Sequence, residues 1–195
     1  SGGLEVSWQD EYNKKLVTAE EAVKTVKSGD WVEFNSFNGM PATLEKALSE
    51  RKEELFDVKI RGSSSLKPLK CVEVDPERKH FIYHTWHMSK YERSLHNKNI
   101  CNYIPIAFHE KDGFYQDAAE DGIRVDVCMI QVCPINEYGY FNFGPQANAT
   151  RQMVELAKIC IIEVNNRMPI TLGGRDEMIH VSEVDYIVEG DNPPL

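Results

Sequence analysis

The chain has 195 residues, 22 Lys and Arg against 31 Asp and Glu, a formal net charge of -9, and a hydrophobic fraction of 42%. With no basic stripe to offset that charge, a nucleic-acid backbone is excluded as the main partner, although a locally positive pocket could still hold an anionic ligand. Ample apolar content and well-mixed charges exclude disorder, no apolar run is long enough to span a membrane, and the length suits one large domain.

In chain order, residues 1–10 read as a tail whose Ser1-Gly2-Gly3 start has the look of an expression scar, and residues 11–189 as the folded domain. Thr18 and Glu21 have capping-box spacing. They start a helix with Ala22, Val23 and Val26 on one side, which stops at Ser28-Gly29. Trp31-Val32-Glu33-Phe34 is the first strand and runs into Asn35-Ser36-Phe37-Asn38-Gly39-Met40-Pro41. Pro41 suits the first position of a second helix, with Leu44, Ala47, Leu48 and Leu55 as its apolar face. Free N–H groups at such a helix start favour an anion or a developing oxyanion, but a plain βα turn accounts for the residues more simply.

Val58-Lys59-Ile60 forms another strand and ends at Gly62-Ser63-Ser64-Ser65, small residues of the kind found at the carboxyl edge of a parallel sheet. Phe81-Ile82-Tyr83 is a third strand, Met88 to Asn97 a short helix, and Tyr103 to Phe108 a strand with Pro105 at an end, edge or bulge. Glu110 to Asp121 reads as a helix or turn-rich crossover. The organising stretch is Arg124 to Val164. Its Val125–Val132 run is apolar and β-branched enough for a strand buried on both faces. After the polar loop Cys133 to Gln146, Ala149, Met153, Leu156 and Ala157 recur near helical spacing, and Ile159 to Val164 is a second buried strand. This βαβ unit commits the chain to the α/β class, with a mainly parallel open sheet flanked by helices. Ile179 to Val188 adds one or two short strands, and residues 190–195 have the composition of a linker.

Chemistry is less legible. The five cysteines, Cys71, Cys101, Cys128, Cys133 and Cys160, form no C-x-x-C pair and read as reduced thiols of a cytoplasmic protein. His80, His84 and His87 lie close together, but no Cys, Asp or Glu falls at matching spacing, so a metal site is not expected. Cys133 lacks a neighbouring His, and Ser36 and Ser63 to Ser65 have no nucleophile elbow around them. Gly173-Gly174 fails the strand-then-helix context of a dinucleotide fingerprint. Glu163 and Asp126, acidic residues in apolar strands, read as hydrogen-bonded in place rather than catalytic.

Several stretches together resemble the acetyl-CoA hydrolase/transferase family of CoA-transferases. They are Lys27-Ser28-Gly29-Asp30-Trp31-Val32, Trp86-His87-Met88-Ser89 and Gly139-Tyr140-Phe141-Asn142-Phe143-Gly144-Pro145. Glu163-Val164-Asn165 with Met168-Pro169, and Ile179-His180-Val181-Ser182 leading to Tyr186-Ile187-Val188-Glu189-Gly190, complete the set. Within the family the resemblance is to the butyryl-CoA:acetate branch, then to the 4-hydroxybutyrate branch.

The resemblance implies covalent catalysis on a glutamate that attacks the acyl-CoA thioester. It also implies a chain about twice as long, made of two similar halves, with the nucleophile and the main CoA-binding glycine loop in the second. This chain is thus expected to be the amino-terminal half, to contain no catalytic nucleophile, and not to turn over alone. Its expected share is one wall of the cleft, with Asn38, Gly39, Met40, Ser63, Ser64, Ser65 and Gly144 touching substrate. Asn136 stands where relatives often carry Asp, so no acid–base role rests on it. Implied partners are an acyl-CoA, a short-chain carboxylate, the missing carboxy-terminal half and a further copy of the protein. Coenzyme A enters as substrate, with no metal and no other cofactor. The alternatives are a hydrolase of the same family and a non-catalytic binding subunit of a split enzyme.

Overall fold

The structure, a computed structural model, describes residues 7–34, 40–62, 69–85, 101–103, 124–142, 147–166 and 178–190. Among these, seven strands make one parallel sheet: β1 (Trp31–Phe34), β2 (Val58–Gly62), β3 (Phe81–Thr85), β4 (Cys101–Tyr103), β5 (Val127–Val132), β7 (Ile159–Val164) and β9 (Tyr186–Glu189). Their order is β4-β3-β2-β1-β5-β7-β9, and each neighbouring pair is parallel. Two further strands, β6 (Tyr140–Asn142) and β8 (Met178–His180), pair antiparallel in a separate ribbon. The β6 strand lies inside the stretch expected to be an irregular loop. At three residues it is too short to show a period.

Alternate side chains of the sheet feed two cores. Val32, Phe34, Val58, Ile60, Phe81, Tyr83, Val127, Met129, Ile161 and Val188 pack with helices α2 (Ala19–Val23), α3 (Ala42–Ser49) and α4 (Lys70–Glu73). On the other face Cys128, Ile130, Val132, Cys160, Ile162, Val164 and Ile187 meet Met153 and Val154 of α5 (Ala147–Leu156), together with Trp8 and Tyr12 of α1 (Trp8–Lys15). All six residues of β5 are buried, as expected of a strand covered on both faces. The crossover β5–α5–β7 joins adjacent strands of the sheet, as the sequence predicts.

Several boundaries differ from expectation. Helix α1 begins inside the stretch read as a tail: Ser7 caps it by accepting from Asp10 N–H, and Trp8 and Tyr12 dock on the second core. Two aromatics at i and i+4 are too thin a stripe to register as a period. Thr18 caps α2 by accepting from Glu21 N–H at 3.2 Å, but the helix runs only to Val23. Arg51 Nη1 donates to the carbonyls of Val23 and Val26 at 2.6 and 2.7 Å and closes that end. Pro41 is the cap of α3 rather than its first residue, and Leu55 lies past the helix although it joins the same core. The helix expected over Met88 to Asn97, the crossover over Glu110 to Asp121 and most of the strand from Tyr103 to Phe108 lie outside the described residues.

Candidate functional site

The sheet has a topological switch between β1 and β5. From β1 the chain runs outward through β2, β3 and β4; it returns to β5, beside β1, and runs the other way through β7 and β9. The helices switch with it. Those linking β1, β2 and β3, namely α3 and α4, cover one face, and α5, linking β5 to β7, covers the other. Chain segments leaving neighbouring strands over opposite faces part from each other, and the crevice between them is where open α/β sheets bind ligands. The strands flanking the switch, β1 and β5, end at Phe34 and Val132. The residues the resemblance assigns to substrate follow them in sequence, Asn38, Gly39 and Met40 after β1 and Gly144 after β5.

Of those residues only Met40 is described; it is half-buried, packs against the first core and stands two residues before α3. Asn38, Gly39, Ser63, Ser64, Ser65 and Gly144 lie outside the described residues. The strands that lead toward them are well defined: β1 ends at Phe34, β2 at Gly62 and β6 at Asn142.

Buried polar side chains gather at this carboxyl edge. Gln131 and Glu163 are register partners on β5 and β7, 2% and 0% exposed, and Asn165, just past β7, is 2% exposed. Glu163 Oε1 accepts the Leu44 N–H at 2.8 Å, so a carboxylate from β7 meets the first turn of α3. From the sequence Glu163 reads as hydrogen-bonded in place, and Asn165 enters only through the stretch that carries the resemblance. Gln131 could have drawn attention, as the one polar residue inside the β5 run. Three strand positions earlier by register, on the opposite face, Glu33 and Arg61 form a buried ion pair between β1 and β2 at 2.8 Å. Arg61 also lies over the Trp31 ring, 4.3 Å from its centroid, and Arg61 Nη2 donates to the Arg124 carbonyl at 3.3 Å. This pair fixes the two strand ends that lead toward the candidate loops.

The loop from Cys133 is held from several sides. Cys133 N–H donates to the Asn142 carbonyl at 2.8 Å, and Asn136 Oδ1 accepts from the backbone N–H groups of Tyr138 and Tyr140. Trp8 Nε1 donates to the Glu137 carbonyl at 2.9 Å. Asn136 is thus a turn-former. Burial pushes the Cys133 thiol up to about 11, which keeps it protonated at neutral pH and disfavours it as a nucleophile.

The other acidic and imidazole side chains are also bonded in place. Asp126 accepts from Trp31 N–H at 2.8 Å and pairs with Arg124 and Lys158. Burial works to raise its pKa, but the Trp31 N–H and the two cations outweigh that and hold it below the usual range. The His80 ring bonds the Leu55 carbonyl through Nδ1 at 2.7 Å, while the His84 ring lies 5.3 Å from that of Trp31. His87 lies outside the described residues. Among the described residues no group of three His, Cys, Asp or Glu is placed to hold a metal, and no helix is long and apolar enough to cross a membrane.

Residues 5–195 match the model of the acetyl-CoA hydrolase/transferase N-terminal domain. The chain is 45% identical over 190 residues to butyryl-CoA:acetate CoA-transferase of Anaerostipes caccae, covering 97% of this chain and 42% of that protein. It is 34% identical over 190 residues to 4-hydroxybutyrate coenzyme A transferase of Clostridium kluyveri, covering 97% of this chain and 43% of that one. The crystal structure of RipA from Yersinia pestis superposes with a TM-score of 0.84 at 27% identity, over 97% of this chain and 45% of RipA. The chain thus spans less than half the length of the relatives it matches.

Proposed function

The chain belongs to the acetyl-CoA hydrolase/transferase family, as its N-terminal domain, and from that premise we propose that it is the amino-terminal half of a short-chain acyl-CoA:carboxylate CoA-transferase of the butyryl-CoA/acetate kind. The likeness to a butyryl-CoA:acetate CoA-transferase over nearly the whole chain carries this reading. The switch-point crevice between β1 and β5 supports it, since it offers an open edge between the segments the resemblance assigns to the acyl and carboxylate groups.

The chemistry is divided between two halves. A glutamate of the second half attacks the acyl-CoA carbonyl, the CoA thiolate leaves, and an acyl-glutamyl anhydride forms. The thiolate then attacks the anhydride at the glutamyl carbonyl, releasing the first carboxylic acid and leaving a glutamyl-CoA thioester. An incoming carboxylate repeats the exchange in reverse and departs as the new thioester. The role of this chain is to wall the cleft, to direct N–H donors at the tetrahedral oxyanions and to exclude water.

The test is turnover of butyryl-CoA with acetate by the full-length protein and by the 195-residue chain separately. Transfer to acetate is expected from the former and none from the latter. Mass spectrometry of a borohydride-reduced enzyme should place the glutamyl-CoA thioester outside residues 1–195. Turnover by the chain alone would overturn the reading. Thioester loss that acetate does not accelerate would replace it with the hydrolase.

A further inference from the structure

We propose that Glu163 is a positioning residue for the transfer site: from β7 it caps the amino end of α3, and so sets Met40, two residues before that helix. The inference rests on the reading of the chain as a CoA-transferase half.

Helix α3 lacks a local cap. Its cap position is Pro41, which makes no side-chain hydrogen bond, and first-turn N–H groups need an acceptor. Glu163 supplies one from 119 residues away, its Oε1 accepting the Leu44 N–H at 2.8 Å. The carboxylate is wholly buried, an arrangement that glutamate tolerates only when it is bonded in place. Leu44 itself is 0% exposed, so solvent does not serve as acceptor for its N–H in the folded chain.

Gly190, the residue after β9, makes room for this side chain. A Cβ there would come 2.6 Å from Glu163 Cγ, 2.7 Å from Oε2 and 2.8 Å from Cδ. Its φ is not in the left-handed region, so the backbone does not demand glycine. The reserved space is what a substitution would remove. Gly190 N–H also donates to the Val164 carbonyl at 3.0 Å, which fixes that glycine against the strand end carrying Glu163. The strand end, the glycine and the helix start therefore form one unit at the carboxyl edge. Met40, the one described residue among those expected to face substrate, stands two residues before that helix and packs against the first core.

The experiment uses the full-length protein with Glu163→Ala, Glu163→Gln and Gly190→Ala. Amide hydrogen exchange at Leu44 is measured beside kcat and KM for butyryl-CoA and acetate. Glu163→Ala should lower Leu44 protection by on the order of tenfold, as expected for loss of one buried charge-assisted hydrogen bond. Its kcat/KM, corrected for folded fraction, should fall by a similar factor. Glu163→Gln keeps an acceptor oxygen and should recover most of both losses. Gly190→Ala displaces the carboxylate without removing it and should lower Leu44 protection even if Glu163→Ala does not fold.

Unchanged protection at Leu44 in the folded variants would overturn the proposal. So would a folded Glu163→Ala enzyme with unaltered kcat/KM, which would leave the residue a purely structural one. If Glu163→Gln keeps Leu44 protected yet is as slow as Glu163→Ala, the carboxylate acts directly and the positioning role falls. If the wild-type protein transfers no CoA, the functional reading fails alone, and exchange at Leu44 still decides the cap.

Discussion

Replacing Arg61 with methionine should remove a large share of the domain's stability. The Arg61 and Glu33 side chains are 2% and 0% exposed and meet at 2.8 Å. Methionine fills much of the apolar stem's volume but leaves the Glu33 carboxylate buried without its counter-ion. Removing one partner of a buried pair costs about 3–5 kcal/mol. The lost stacking on Trp31 contributes roughly 0.5–2 kcal/mol within that figure. A domain stable by about 5–15 kcal/mol loses a large share of its margin in this way. Urea denaturation followed by circular dichroism measures the loss on the 195-residue chain. A second variant, Glu33→Leu with Arg61→Met, removes both charges and should recover most of it, since apolar replacement of a buried pair is often neutral or stabilising. A loss under about 1 kcal/mol for Arg61→Met, or a double variant no more stable than the single one, would refute the idea that an uncompensated buried charge is the cause.

Two further outcomes are expected. Burial, then the charges of Arg61, Arg78 and Lys59, push the His84 imidazole from the usual 6.5 down to about 4. The unfolded chain therefore binds a proton that the folded chain refuses across that window, and stability present above pH 6.5 is lost as the pH falls toward 4. His84→Gln should flatten that part of a stability–pH curve, and curves that stay parallel to wild type would count against it. Gly139→Ala should destabilise the chain by about 1–3 kcal/mol, because φ is +85° and a Cβ would lie 2.9 Å from both Trp8 Cβ and His180 Nε2. Denaturation midpoints would check this, and a shift too small to measure would mean that α1 yields freely.

The parallel sheet was legible because its central strands are covered on both faces. The β5 and β7 runs, Val127–Val132 and Ile159–Val164, are apolar apart from Gln131 and Glu163 and rich in β-branched residues, and Trp31–Phe34 and Val58–Gly62 are closed off by turn-forming residues. Helix α1 and strand β6 were not legible for the opposite reason. Their apolar signal is two aromatics in one case and a single buried Phe141 in the other, and each depends on a partner distant in sequence. Strand order also escaped the sequence. No local pattern says that the chain returns from β4 to lie beside β1, yet that return creates the topological switch.

The least legible layer is the set of buried carboxylates, and distance along the chain explains why. A local cap is readable, as Thr18 over Glu21 shows, because donor and acceptor are three residues apart. Most of the others are not. Glu45 accepts from the N–H groups of Lys70 and Cys71 at the start of α4, Asp126 from that of Trp31 and Glu163 from that of Leu44. Their separations run from 25 to 119 residues. In sequence each is an acid with no visible reason to be buried, and a catalytic role and a bonded one look alike. Folded, each oxygen is found on a backbone N–H that would otherwise be buried without an acceptor, where an unmade bond costs about 1–3 kcal/mol. The same physics that hides these residues from a sequence reading joins separate strands and helices into one edge, and Glu163 is the member that does so beside the crevice.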